Sequence, residues 1–165
     1  MKVFGFAGWS GSGKTTLIEA LIPRFVRGGH TVSLVKHAHH SFDVDQPGKD
    51  SYRHREAGCL EVLVSSDRRW VLQHELRGAP EPGLEAQIER MSPCDLLLIE
   101  GYKRYPMPKL EIYRAANGKP LLHPDDPHIV AVAADVPLAT ELPRFALDDY
   151  DAIADFVLKR TGLRR

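Results

Sequence analysis

Cysteine is nearly missing from this chain: of 165 residues only Cys59 and Cys94 carry a thiol, far apart and in no CxxC pair. That excludes a disulfide scaffold and a zinc ribbon, and both read as small buried hydrophobes in a reducing compartment. An excess of charge of one sign is missing too. With 22 acids against 22 bases there is no global field to draw the protein onto nucleic acid or an anionic membrane, so any phosphate binding must be local. No apolar run approaches the roughly 20 residues of a membrane span, and the opening MKVFGFAG leaves no room for a signal peptide. Internal repeats, low-complexity tracts and long linkers are also absent from the sequence. The expectation is a cytoplasmic protein that engages neither membrane nor nucleic acid.

What is present is alternation. A hydrophobic share of 43% with 27% charged residues is ordinary for a globular chain, and the length suits a single nucleotide-binding domain over 1–165. Lys2 to Ala7 reads as a strand. Lys14 to Arg27 follows as a helix with Leu17, Ile18, Leu21, Ile22, Phe25 and Val26 on one stripe, stopped by Gly28-Gly29, and Pro23 should bend it. Thr31 to Val35 is a second strand. A short polar helix runs from an Asp50 cap through Ala57 to the Gly58 stop, and Leu60 to Val64 with Trp70 to Gln73 makes a hairpin. Beyond the APEPG break, Leu84, Ile88 and Met91 mark a helix. Strands follow at Leu96 to Ile99, Leu110 to Tyr113 and Ile129 to Ala133, and a helix over Asp151 to Lys159 turns Ile153, Phe156 and Val157 inward. Strands that are apolar throughout belong to a parallel sheet covered on both faces.

Between the first strand and its helix, Gly8-Trp9-Ser10-Gly11-Ser12-Gly13-Lys14-Thr15 matches GxxxxGK[ST] in full. Glycines let the backbone wrap so that N–H groups converge on phosphate oxygens, the helix N-terminus adds partial positive charge, Lys14 meets the β and γ phosphates, and the Thr15 hydroxyl suits magnesium. The phosphate-binding set is Gly8, Ser10, Gly11, Ser12, Gly13, Lys14, Thr15 and Thr16. The fold class is therefore α/β: a three-layer P-loop NTPase fold, mostly parallel sheet with helices on both faces and an added β-hairpin. Leu96-Leu97-Leu98-Ile99-Glu100-Gly101 places an acid at a strand's C-terminal end, where open α/β sheets bind ligands. Glu100 is longer than the usual Asp there by one methylene, so the expectation is that it reaches the metal through a water or orients an attacking water instead of ligating directly.

These stretches, with AGWSGSGKTTL at 7–17, LVKHAHHSFDVDQPGKDSYRHREAG at 34–58, RRW at 68–70, LLLIEGYK at 96–103 and IVAVAADVPL at 129–138 before an ADFVL helix, resemble the molybdopterin-guanine dinucleotide biosynthesis protein B (MobB) family. The resemblance implies a homodimeric GTP-binding protein using GTP and Mg²⁺, with weak GTP hydrolysis at most. It implies an adaptor role when guanine nucleotide is joined to molybdopterin, with the MobA-like guanylyltransferase of that pathway, and molybdopterin itself, as partners. Trp9 stands where the dimerising ATPases of the deviant loop carry lysine, so no cross-subunit lysine is expected at the phosphates. No [NT]KxD motif reads the base. The guanine preference comes from the resemblance, and Asp135, at a strand end, is the residue placed for a base contact.

The block from Leu34 to Tyr52 admits three readings. Nucleotide and pterin binding assigns Lys36, His37 and Lys49 to anions together with Gly101 beside Glu100, sets Asp43 near the nucleotide, and makes Thr15, Asp45 and Glu100 the magnesium set, with Asp45 and Glu100 also catalytic. A nickel or zinc chaperone would use His37, His39 and His40, although neighbours on a strand point to opposite faces. A solvated loop is the third. Lys49 and Arg53 suit an anionic pterin or the partner enzyme, as do Arg68, Arg69 and Trp70, with Trp70 more often simply packed. Tyr102 and Lys103 suit a second ligand or a dimer contact. A small-metabolite kinase on the same loop also stays open, although Arg68 and Arg69 alone make a poor lid.

Overall fold

Phe4 and Phe6, edge to face at 5.7 Å, stand at the centre of the larger of two compact units into which the chain divides. The computed structural model describes residues 1–38 and 42–164, and the units comprise Met1–His37 with Ser92–Arg165, and Ala38–Met91. In chain order the elements are β1 (Lys2–Ala7), α1 (Lys14–Arg27), β2 (Val32–Lys36), α2 (Asp50–Glu56), β3 (Glu61–Ser65), β4 (Trp70–His74), α3 (Leu84–Ile88), β5 (Leu96–Glu100), β6 (Lys109–Tyr113), β7 (Ile129–Ala134), β8 (Arg144–Ala146) and α4 (Tyr150–Thr161).

The larger unit holds a six-stranded sheet in the order β2-β5-β1-β6-β7-β8, with every pairing parallel. β5 is buried at all five positions, as a strand covered on both faces must be. One latch sets its register against β2: the backbone N–H and hydroxyl of Thr31 donate to Asp95 Oδ2 at 2.8 and 2.7 Å, and Val32 pairs with Leu96 immediately beyond. The Thr31 backbone N–H and then its hydroxyl hold the Asp95 carboxyl below the usual carboxylate range.

Leu17, Ile18, Leu21 and Phe25 of α1 are buried, and with Phe4, Phe6, Leu98, Ile112, Ile153 and Val157 they form the core. Each such side chain contributes about 1.5–3 kcal/mol on burial. α1 continues through Pro23 to Arg27 before Gly28. α4 is capped by Asp149, which accepts from the Ala152 N–H, and stops at left-handed Gly162. Its Phe156 is partly buried against the core, with Ile153 and Val157 fully inside.

In the smaller unit β3 and β4 pair antiparallel, Leu63 opposite Leu72. Several expectations are corrected here. Asp50 is the first residue of α2 and Lys49 the residue before it, which makes no side-chain cap. Trp70, at the start of β4, is 65% exposed, on a hairpin to which no third strand pairs among the described residues. Cys59, just past the turn at Gly58, is exposed rather than buried, and Cys94 is partly so. α3 ends at Ile88, short of Met91. No described helix is long and apolar enough to cross a membrane.

Candidate functional site

β1 ends at Ala7 and the chain wraps at once into the loop that the motif predicts, with Gly11 and Gly13 at φ 78° and 95°. Gly8 is required by crowding as well: a Cβ there would stand 2.5 Å from the Ile112 carbonyl oxygen and 2.7 Å from Ser12 Oγ. Ser12 is buried and its hydroxyl has no partner among the described residues. The ammonium of Lys14 arches over the mouth and donates to the carbonyls of Gly8 and Trp9 at 3.0 and 2.9 Å. Burial pushes its pKa below the ordinary lysine range; Glu100 pulls the other way, and Lys103 and Lys36 add to the depression.

The segment after β6 braces this loop, and sequence reasoning missed it. Asn117 Nδ2 donates to the Ser10 carbonyl at 3.2 Å, and Trp9 Nε1 donates to the Pro120 carbonyl at 2.8 Å. A short 3₁₀ turn over Ala115–Asn117 places the asparagine. A single turn of that kind carries no periodicity by which to find it.

Thr15 and Glu100 are brought together: the hydroxyl donates to Glu100 Oε1 at 3.0 Å, and Glu100 is 6% exposed. Lys36 Nζ stands 3.4 Å from Thr15 Oγ1 and 3.4 Å from Glu100 Oε1, so a cation already faces both oxygens. A hydroxyl beside one buried carboxylate fits magnesium, which takes few protein ligands and completes its shell with water and substrate phosphate. Among the described residues no group of three His, Cys, Asp or Glu could hold a metal. His37 accompanies Glu100 through its backbone N–H, which donates to the Glu100 carbonyl at 3.0 Å, and its ring lies 5.0 Å from that of Tyr102. Gly101, at φ 98°, passes so close that a Cβ would meet His37 Cβ at 3.0 Å. His39 and His40 lie outside the described residues.

Asp43, Asp45 and Lys49 belong to the smaller unit, where Arg55, which sequence reasoning did not single out, gathers the acids. Its guanidinium donates to Asp43 at 2.6 Å and to Glu75 at 2.8 Å and stands 3.6 Å from Asp45, which also accepts from the Ser51 hydroxyl at 2.8 Å. The hydrogen bond from Arg55 holds the Asp43 carboxyl below the usual range, and the Asp45 backbone N–H reinforces it.

Beside the loop opens a cavity of about 410 Å³, lined among others by Ser12, Gly13, Thr16, Arg114, Asp135 and Tyr150. Asp135, the residue suggested for a base contact, is in the wall of that cavity. Its Oδ1 accepts from the Ala115 N–H at 2.9 Å, and Arg114 stands 3.9 Å from Oδ2. The Ala115 N–H and the Arg114 guanidinium together fix the carboxylate at the cavity wall.

Residues 3–135 match the family model described as molybdopterin guanine dinucleotide synthesis protein B, MobB. The chain is 41% identical to the molybdopterin-guanine dinucleotide biosynthesis adapter protein of Escherichia coli K12, over 96% of this chain and 93% of that protein. It is 40% identical to the adapter protein of Haemophilus influenzae, over 95% and 88%. Among solved structures it is similar to the MobB protein homolog from Bacillus stearothermophilus, with a TM-score of 0.74, 26% identity, and coverage of 99% of this chain and 100% of that one.

Proposed function

The chain belongs to the molybdopterin guanine dinucleotide synthesis protein B (MobB) family, and from that premise we propose that it is a GTP-binding adaptor, with weak GTP hydrolysis at most, that assists the joining of a guanine nucleotide to molybdopterin. One observation carries the reading. The phosphate loop, with Lys14 arched over it and Thr15 bonded to Glu100, opens beside a cavity of about 410 Å³ whose wall presents Asp135.

Lys14 exchanges its two backbone carbonyls for the β and γ phosphates, a stronger pair of acceptors because they are charged. Thr15 and Glu100 hold magnesium, which when bound neutralises phosphate charge. The Asp135 carboxylate offers acceptors to the N1–H and 2-amino donors of guanine, which adenine lacks. Glu100 is already engaged by Thr15 and Lys36, which suits a residue that positions a metal better than one that activates water, and this supports slow hydrolysis.

Homodimer formation is supported by the apolar hairpin, whose Leu63, Trp70 and Leu72 are all exposed; a two-stranded hairpin alone is marginal in water. Lys49 and Arg53, both exposed on or beside α2, suit the anionic pterin or the guanylyltransferase partner, and the adaptor would work in the cytoplasm.

Calorimetry with GTP, ATP and Mg²⁺ tests the nucleotide, and reconstituted guanylyl transfer with and without the chain tests the adaptor. Tighter binding of GTP than ATP, and faster dinucleotide formation when the chain is added, are expected. Equal binding of the two nucleotides, or no change in transfer, would sink the corresponding half of the reading.

A further inference from the structure

We propose that Lys103 is a second triphosphate-binding lysine, carried on the loop after β5 and resting on the Trp9 indole until a terminal phosphate takes its ammonium. The proposal rests on reading residues 8–15 as a triphosphate site and adds to that site a residue outside the loop motif.

The contact itself is specific. Lys103 Nζ lies 4.3 Å from the centroid of the Trp9 ring, and Trp9 is the second residue of the phosphate loop. The indole is fixed at its far edge, where Nε1 donates to the Pro120 carbonyl at 2.8 Å. A cation resting on a partly exposed aromatic face is held weakly compared with one meeting a phosphate. The side chain is therefore free to exchange its partner.

Its backbone is not free. Fully buried Lys109 donates to the carbonyls of Lys103 and Tyr105 at 2.8 and 2.7 Å and pairs with Asp126 at 2.7 Å. Upstream, Tyr102 adopts φ 40°, a left-handed conformation that bulky side chains rarely take, with its ring against His37. The strand end, the strained turn and the buried ammonium together aim Lys103 at the loop.

Charge and direction agree. The Lys14 ammonium has Lys103 and Lys36 as like-charged neighbours and Glu100 as the opposing one, so positive charge outweighs negative around Lys14, an imbalance that an anion corrects. The cavity lined by Ser12, Gly13, Thr16 and Asp135 is the one read above as taking the base. Lys14, the residue read as meeting the β and γ phosphates, donates its ammonium to the carbonyls of Gly8 and Trp9. Trp9 thus lies beside the lysine that meets the terminal phosphates, and Lys103 is on its ring.

The test compares a non-hydrolysable GTP analogue with GDP, each with Mg²⁺, on the full chain. Lys103→Ala should weaken the triphosphate by about 10- to 100-fold and the diphosphate by less than about threefold, the range for a hydrogen bond to a charged group. Lys103→Arg should recover most of the loss. In a Trp70→Phe background, Trp9 is the one remaining indole, and its emission should change on adding the triphosphate but not GDP. Unaltered triphosphate affinity in Lys103→Ala, or equal losses for the two nucleotides, would overturn the proposal while leaving the site intact, provided that Lys14→Ala still loses binding. If the wild-type chain takes up neither nucleotide, the proposal falls together with the triphosphate site beneath it.

Discussion

The Thr15 hydroxyl donates to the Glu100 carboxylate at 3.0 Å across 85 residues of sequence, so the first turn of α1 and the end of β5 are joined at the pair of oxygens proposed to hold magnesium.

Glu100→Gln separates the two roles of that carboxylate. With Mg²⁺ present the variant should bind GTP more weakly, having lost a charged oxygen for the metal. With chelator present it should bind GTP more tightly than wild type, because the acid facing Lys14 and Lys36 no longer repels phosphate. Each change should be roughly tenfold, between water-like and protein-like screening for charges about 4 Å apart. Calorimetric titrations in the two buffers check whether the sign inverts; a loss in both would mean that Glu100 only supports the loop.

Lys14 predicts a linked proton. Burial holds its ammonium below the ordinary range in the free protein, with Lys103 and Lys36 adding and Glu100 opposing. Bound phosphates raise it again. Binding must then take up protons at pH values between the lowered free value and the higher bound one, and affinity must fall as pH rises through the free value. Titrations above pH 8 in buffers of different ionisation enthalpy measure the uptake, and Lys14→Ala should abolish both uptake and binding.

Asp135→Asn probes the base. A carboxylate accepts from the two donors of guanine, whereas a carboxamide turns its NH₂ toward a carbonyl. The variant should lose GTP and GDP affinity equally, by about 10- to 100-fold for a charged hydrogen bond, and gain affinity for xanthosine triphosphate. Unchanged discrimination against ATP would show that Asp135 serves only the Ala115 N–H it already accepts.

Much of this architecture was legible. The loop, Thr15 and Glu100 could be read because a motif, a strand end and a change of period coincide at fixed positions, and α1 has the predicted bounds. Charged residues at strand positions were not legible. Lys109 and Glu111 are buried, and the side chains that answer them, Asp126 for Lys109 and the His123 ring for Glu111, are in the segment before β7. No local spacing announces a partner a dozen or more residues away. β8 has only three residues, too few to show a period of two. The histidine and aspartate block announced a dense polar site, but Arg55, which organises the described acids of that block, reads in sequence as one more charge on a polar helix.

Gly8→Ala tests the loop's fit. The added carbon would meet the Ile112 carbonyl at 2.5 Å, backbone that cannot swing aside, and Ser12 Oγ at 2.7 Å. The loop must move off β6, costing on the order of 2 kcal/mol or more as a strained, overpacked position. Urea unfolding should show that loss, and GTP binding should vanish with it. Retained binding at lowered stability would mean that the loop adjusts without losing its cradle.

The Lys109–Asp126 pair gives a stability prediction at a distance from the nucleotide. Lys109 is fully buried, and Asp126 supplies the charge that balances it at 2.7 Å. Removing one partner of a buried pair is costly; because Lys109 keeps two carbonyl acceptors, Asp126→Asn should fall at the low end, about 3 kcal/mol. Burial pushes the Asp126 carboxyl up, but the hydrogen bonds from Lys109 and the His128 N–H outweigh it, so the folded value lies below the ordinary one. A depressed acid contributes stability that is fully present above the unfolded value of about 3.9 and is lost as pH falls through the lower folded value. The stability gap between wild type and Asp126→Asn should therefore be constant from pH 7 to about 5 and close below about pH 4. Urea midpoints across that range measure it. A gap that persists undiminished in acid would mean that the carboxylate's charge is not what holds Lys109, and that shape and the two carbonyls suffice to seat the ammonium beneath the loop bearing Lys103.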